Sequence, residues 1–397
     1  MTSYTSNSDH PTDDLEQQAV VMGSHAESDP SIGGPIEESV REQPLPQRAE
    51  RREEAGEQRS KRRYLGLGLA AMLAILILLE TLVFRNVDFY GYSPGFIGQL
   101  GELKASFAQE EPEQIKVAIF GDSMSLDALR PDIMEEEAGL PRGTVFNFSL
   151  SGGSAFDMYK TYKSYESQLP ALEHAIVVVN EHQINNAEAA KDIKFKFYAN
   201  LNERLQVMNA DNYGELLLGW AWKGYEMREV WIMMLDKYRH DRDHPDEPKQ
   251  LREAIPAYPG GIKPLTWSPK TDKTYEHAVE VADRWFDPYV TDGVRTDALG
   301  KLIRELSERG VEVTIVQIPR TPFFEQAVSA KYEEQRQEYV DIVQRFADAH
   351  GAAFTVMSNE GLDPETDFRD TNHVSTEGAE KVSREVARRW LGLQTGL

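Results

Sequence analysis

Residues 64–84 read YLGLGLAAMLAILILLETLVF, 21 residues with a single charge at Glu80. At a helical rise of about 1.5 Å per residue, such a run covers about 30 Å, the hydrocarbon thickness of a bilayer. Glu80 lies near one end, where a carboxylate can snorkel. The run divides the chain into a tail, one span and a large remainder. Residues 1–40 hold eight acids, no Lys or Arg, and many Ser, Pro and Gly. A stretch like that cannot bury enough apolar surface to offset its ordering entropy. Residues 41–63 hold eight basic residues and end in Lys61-Arg62-Arg63 directly before the run, whereas only Arg85 follows closely on the other side. The whole tail, 1–63, is expected to be disordered and, by the positive-inside rule, cytoplasmic. Everything after Arg85 is then extracytoplasmic, periplasmic or at the cell surface. A cleaved signal peptide fits poorly, because the apolar stretch is too long, starts some sixty residues into the chain, and is followed by no small-x-small site. The expectation is an uncleaved single-pass anchor.

The chain has 397 residues and a formal charge of -23, of which the tail supplies only -5, so the acidity belongs mainly to the remainder. An acidic surface argues against a nucleic-acid partner, which would require a basic face. It also disfavours an anionic polymer as substrate unless a local patch such as one around Arg320 overrides the field. No cysteine is present, which removes cysteine nucleophiles, Cys-ligated zinc and iron–sulfur clusters. No metal and no cofactor is expected, and catalysis would fall to oxygen nucleophiles.

After a polar stem at 85–114, short apolar, β-branched runs recur at 116–120 (KVAIF), 144–148 (TVFNF), 175–179 (AIVVV), 311–317 (VEVTIVQ) and 352–356 (AAFTV). Between them, 125–137, 298–309, 332–350 and 376–391 carry apolar residues at three- and four-residue spacing. Alternating strands and helices predict an α/β domain over 115–397, a flavodoxin-like three-layer sandwich with about five parallel strands. The gap at about 186–297 is too long for one crossover and reads as a mostly helical insertion. Its Trp220, Trp222, Met227, Trp231, Met233 and Met234 form a stripe that fits packing first, and a substrate groove or membrane-facing patch second.

Ligands of such sheets bind beyond the carboxyl ends of the strands. That rule selects Gly121-Asp122-Ser123, the segment 149–154, Asn180-Glu181-His182 and Pro319-Arg320. Ser123, in a strand-to-helix turn, can present both its hydroxyl and its N–H. Near the other end of the chain, His373 opens the last helix with Asp370 three residues before it. The pair has the types and spacing of a general base and the carboxylate that orients it. Asp367 competes for that orienting role, and Ser125 duplicates the chemistry of Ser123 but should lie inside the helix. Arg320 is either a substrate anchor or a solvated loop residue.

Gly121-Asp122-Ser123, the segment Asn147-Phe-Ser-Leu-Ser-Gly152-Gly153 and Asp370-Thr-Asn-His373 together resemble the GDSL/SGNH hydrolase superfamily. The resemblance implies an SGNH-like catalytic domain with Ser123 as nucleophile, Asp370 and His373 completing a triad, and the N–H groups of Ser123 and Gly152 forming the oxyanion hole. The third block departs from the family pattern. Where that pattern shows Gly-x-Asn-Asp, this chain has Val179-Asn180-Glu181-His182. Asn180 is the candidate side-chain donor, and His182 a second candidate by position. Anchored members of the superfamily imply an esterase or O-acyltransferase acting on an envelope glycan or another acyl ester, in some cases beside a multi-pass membrane acyltransferase. A catalytically silent scaffold of an envelope assembly and a lipid esterase remain open alternatives.

Overall fold

The computed structural model describes residues 47–265 and 273–391. The disorder expected of 1–46 lies outside them. Two compact units are distinguished, Met1–Leu67 and Gly68–Leu397. The described part of the first is helical: α1 runs Gln47–Leu79, so residues 47–63, expected as disordered tail, are helix. Their Ala, Glu, Gln and Arg content favours that state, and extending an existing helix avoids the cost of nucleating a new one. Arg63–Phe84 is long and apolar enough to cross a membrane, and its last turn, Glu80–Phe84, is wound as a π-helix.

In the second unit, residues 85–114, expected as a polar stem, instead fold into α2 (Val87–Gly91) and α3 (Gln99–Phe107) and join the main core. Leu100, Leu103 and Phe107 recur at helical spacing and are buried, as is Tyr90. Then follow β1 (Val117–Phe120), α4 (Ser123–Ala128), α5 (Pro131–Ala138), β2 (Val145–Asn147), α6 (Ala155–Tyr165), β3 (His174–Val178) and α7 (Glu181–Ile184). The one helix expected over 125–137 is thus two. Pro131 disfavours helical geometry in the residue before it, and Arg130 is extended at ψ 110.

The insertion comprises α8 (Ile193–Tyr198), α9 (Leu201–Gln206), α10 (Tyr213–Ala221), α11 (Lys223–Glu226), α12 (Arg228–Asp243) and α13 (Tyr275–Phe286). The chain closes with α14 (Val294–Glu308), β4 (Glu312–Gln317), α15 (Pro322–Lys331), α16 (Glu333–His350), β5 (Ala353–Val356) and α17 (Thr376–Trp390). All five strands are parallel, in the order β2-β1-β3-β4-β5. This is the doubly wound, flavodoxin-like α/β arrangement, with helices on both faces.

Strand alternation feeds two cores. Ala118, Phe120, Ala175, Val177, Val313 and Ile315 face α6, α14 and α16, while Val117, Ile119, Val145, Ile176, Val178 and Val316 face α4, α5 and α17. Because both faces are covered, strands β1 to β3 are apolar at nearly every position. The Met and Trp stripe divides. Met227 and Met234 are buried in the main core, whereas Trp220 and Trp222 are exposed. Near its end the insertion returns to the sheet edge, where Gly261 bridges Asn147 in parallel and the Asn147 N–H donates to Gly260 O at 2.8 Å. That contact covers part of an edge strand that would otherwise offer unpaired backbone groups.

The packing of α3 can be checked directly. Leu103→Ala should destabilise the domain by about 2–5 kcal/mol in unfolding measurements on the detergent-solubilised chain, since it deletes a core side chain. A residue of a true stem would change stability by no more than about 0.5 kcal/mol.

Candidate active site

The carboxyl ends of β1 and β3, the loop after β2 and the loop before α17 meet at one edge of the sheet. At the end of β1 the chain turns at Gly121, where a Cβ would collide with the Ser125 side chain. Asp122 is extended and caps α4, its Oδ1 accepting the N–H groups of Met124 at 2.9 Å and Ser125 at 3.4 Å. Ser123 begins the helix. Its Oγ lies 2.9 Å from His373 Nε2, although the two residues are 250 positions apart. His373 Nδ1 is 3.0 Å from both oxygens of Asp370. An ionised carboxylate only accepts, so Nδ1 carries the ring proton and donates it to Asp370, leaving Nε2 to accept from the Ser123 hydroxyl.

The loop that presents His373 is tightly tied. Phe368 and Val374 bridge antiparallel, the Ser375 N–H donates to Asp367 O at 2.8 Å, and Thr321 donates its N–H and its hydroxyl to Thr371 O. Asp370 Oδ1 also accepts the N–H groups of Asn372 at 3.0 Å and His373 at 2.8 Å. Burial alone would raise the Asp370 carboxyl, but the His373 hydrogen bond and charge, with those two N–H groups, outweigh it and hold the group well below the usual carboxylate range. Asp367 is turned away, accepting from Asp363 N at 2.6 Å and paired with Lys381. Ser125 is fully buried and bonds Ser149 Oγ at 2.8 Å.

Gly152 sits at φ +61, a left-handed conformation that glycine adopts without strain. Its neighbours in the second block are engaged, Ser151 N–H with Gln99 Oε1 at 2.8 Å and Gly153 N–H with Leu150 O at 2.8 Å. Among the described residues, the N–H groups of Ser123 and Gly152 have no protein acceptor. Asn180 is fully buried with its amide Nδ2 3.6 Å from Met124 Sδ, so donation to an oxyanion would require giving up that contact. His182 lies beside the Gly121–Ser123 turn. Its Nε2 is 3.0 Å from Asp122 Oδ2, and its ring lies over Trp285 at 4.0 Å between centroids.

Arg320 is neither a solvated loop residue nor open to a substrate. It is 2% exposed, with Nη1 2.6 Å from Glu181 Oε2 and Nε 2.7 Å from Glu325 Oε1. The buried Glu181 carboxylate requires a cationic partner, and Arg320 provides it. Among the described residues, no group of three or more His, Asp or Glu side chains is placed to hold a metal ion.

Two participants escaped the sequence reading. Asp127 lies one helical turn after Ser123, on the same face of α4. Arg369 ion-pairs with it at 3.1 Å and with Asp370 at 3.3 Å. The Leu265 N–H donates to Asp127 Oδ1 at 2.8 Å, and Arg369 donates to Leu265 O at 3.0 Å. Thus α4 sends its serine to the imidazole and its aspartate to the arginine beside the imidazole's carboxylate. The cue was the four-residue spacing of Ser123 and Asp127, but nothing in the sequence pairs Asp127 with Arg369.

No family model matches the chain. No curated protein matches it. Among solved structures, it is similar to Est24, a carbohydrate acetylesterase from Sinorhizobium meliloti, at 12% identity over 70% of this chain and 99% of that one, with a TM-score of 0.30.

Burial pushes the Asp127 carboxyl up to about 6, and the opposing influence of Arg369, His373 and the Leu265 N–H only partly offsets it. A carboxyl raised in the folded state favours folding below its unfolded value near 4, and that advantage disappears as pH climbs through about 6. Asp127→Asn should therefore flatten the stability–pH curve between about 4 and 6, removing a fall of order 3 kcal/mol. Thermal melts across that window measure the slope, and an unchanged slope would contradict the assignment.

Proposed function

We propose that this chain is a serine esterase or O-acyltransferase that works through an acyl-enzyme on Ser123. The observation that carries the reading is the unbroken hydrogen-bond series from Ser123 through His373 to Asp370, assembled from opposite ends of the domain. His373 Nε2 takes the hydroxyl proton as Ser123 Oγ attacks an ester carbonyl. The charge that develops on the carbonyl oxygen is met by the N–H groups of Ser123 and Gly152, which are unengaged among the described residues. His373 then returns the proton to the departing alcohol. Water or a second hydroxyl, deprotonated by the same imidazole, releases the acyl group. Asp370, held ionised, keeps the imidazole in the required tautomer and stabilises it when charged.

In this reading, Arg63–Phe84 is a single-pass anchor, the basic flank stays in the cytoplasm, and the catalytic domain faces an envelope glycan or another acyl ester outside. A multi-pass acyltransferase would be the donor if transfer prevails over hydrolysis. The resemblance of the three sequence blocks to the GDSL/SGNH superfamily supports the chemistry. The apolar run and its charge asymmetry support the topology. With Arg320 enclosed by Glu181 and Glu325, the acidic surface has no correction at that position, which favours a neutral acyl ester over an anionic polymer.

A fluorophosphonate probe applied to the solubilised full chain should label the native protein and fail on Ser123→Ala and His373→Ala. Equal labelling of Ser123→Ala, or none of the native chain, would sink the reading. With an acyl ester as substrate, Ser123→Ala should lose about 10⁴-fold or more in kcat/KM, and Asp370→Asn about 10⁴-fold. If Asn180 stays on Met124 during turnover, Asn180→Ala should lose less than the roughly 10²- to 10³-fold expected on removing an oxyanion donor.

A further inference from the structure

The apolar run is not attached to the domain by a loose tether. Glu80, its single charge, accepts the N–H groups of Lys223 at 2.8 Å and Gly224 at 3.0 Å, at the start of α11. Arg85, just past the run, pairs with Glu80 at 2.8 Å and donates to the carbonyls of Trp220 and Ala221 at the end of α10. The Phe84 ring meets Trp231, in the first turn of α12, at 5.7 Å. These contacts hold the end of α10 and the start of α12 at the level where the run ends.

Both helices expose large apolar side chains there. Tyr213, Leu217 and Trp220 follow at four- and three-residue spacing along α10 and are 58%, 41% and 43% exposed. Trp222 comes next at 39%, and Ile232 and Leu235 on α12 are 43% and 39% exposed. A water-facing surface gains nothing from such a cluster, whereas the boundary between headgroups and acyl chains is where Trp and Tyr, with one apolar and one polar end, are most favourable.

We infer that α10 and α12 form a membrane-docking face that lies in the lipid interface beside the span and holds the domain at a fixed height and tilt. The inference rests on Arg63–Phe84 being a membrane span. The occupant is lipid, because the face continues outward from the helix end that would leave the hydrocarbon.

The absence of cysteine makes single-site labelling clean. Full-length Leu217→Cys, Ile232→Cys and Leu235→Cys, each carrying a nitroxide, would be reconstituted into phosphatidylcholine–phosphatidylglycerol nanodiscs holding one chain per disc. Leu73→Cys in the run and Val356→Cys on the exposed edge strand serve as references. Collision with oxygen against a nickel chelate reports depth. The expected result is Leu73 deep in hydrocarbon, and Leu217 and Leu235 within about 5–10 Å of the headgroup boundary, with an oxygen-to-nickel ratio several-fold above that of Val356. Ratios at Leu217, Ile232 and Leu235 equal to that of Val356, with Leu73 still deep, overturn the docking face while leaving the anchor intact, and a protein partner would then be the candidate cover. A water-like ratio at Leu73 overturns the span itself and the inference with it.

Discussion

The contact between Ser123 and His373 depends on how α17 is seated. That helix lies along α4 and α5, where the Ser383 hydroxyl donates to Ala128 O at 2.8 Å and accepts the Arg130 N–H at 2.9 Å, and Arg384 reaches Glu137. Ser383 thus occupies the break between two helices that Pro131 forces apart. Val382 and Val386 lock the same surface into the core shared with β1 and β3. Once α17 is fixed, the loop before it has little freedom, and the imidazole arrives within hydrogen-bonding range of a serine that the end of β1 has already positioned. A parallel sheet makes such convergence possible, because every strand delivers its carboxyl end to the same edge.

Around this pair the domain uses carboxylates in opposite ways. Asp370 is kept charged by donors on all sides. Asp127, one turn along α4 from the serine, is inclined by burial to hold its proton, and Arg369 stands between the two. Glu181 is buried completely, yet it stays ionised because the Arg320 guanidinium offsets the desolvation. On the serine side, Asp122 joins two roles, since one oxygen caps α4 and the other holds His182 against Trp285 of the insertion. The insertion therefore reaches the Gly121–Ser123 turn through Trp285, His182 and Asp122.

Much of this was legible from the residues. Short apolar, β-branched runs bounded by Gly, Pro or polar residues marked all five strands to within about a residue or two, most plainly in β1 to β3, which are covered on both faces. Ser123 stood out because it follows a strand and begins a helix, whereas Asp370 and His373, which lie in the loop before α17, stood out by residue type and three-residue spacing. Other features were hidden for physical reasons. The helix over Gln99–Phe107 looked like a polar stem because Gly, Ser, Lys and Glu alternate with its three core residues. Arg320 looked available because a sequence carries no sign of which acid will enclose an arginine, and here that acid, Glu181, comes 139 positions earlier. Asn180 could be named as a donor by position, but the turn of its amide toward Met124 is a matter of packing alone.

Because Tyr90, Leu103 and Phe107 belong to the main core, the boundary between the apolar run and the domain is narrow: the helix of the run ends at Phe84 and the first core helix starts at Val87. A protease in the surrounding space would find little exposed linker to cut. Scission at Arg85 or Asn86 would release a domain with its core complete. A cut between Phe107 and Val117 would instead leave α3 with the apolar run and remove its side chains from the core they fill. Release of an intact domain is thereby confined to two residues, of which Arg85 is bonded to the insertion at Trp220 and Ala221.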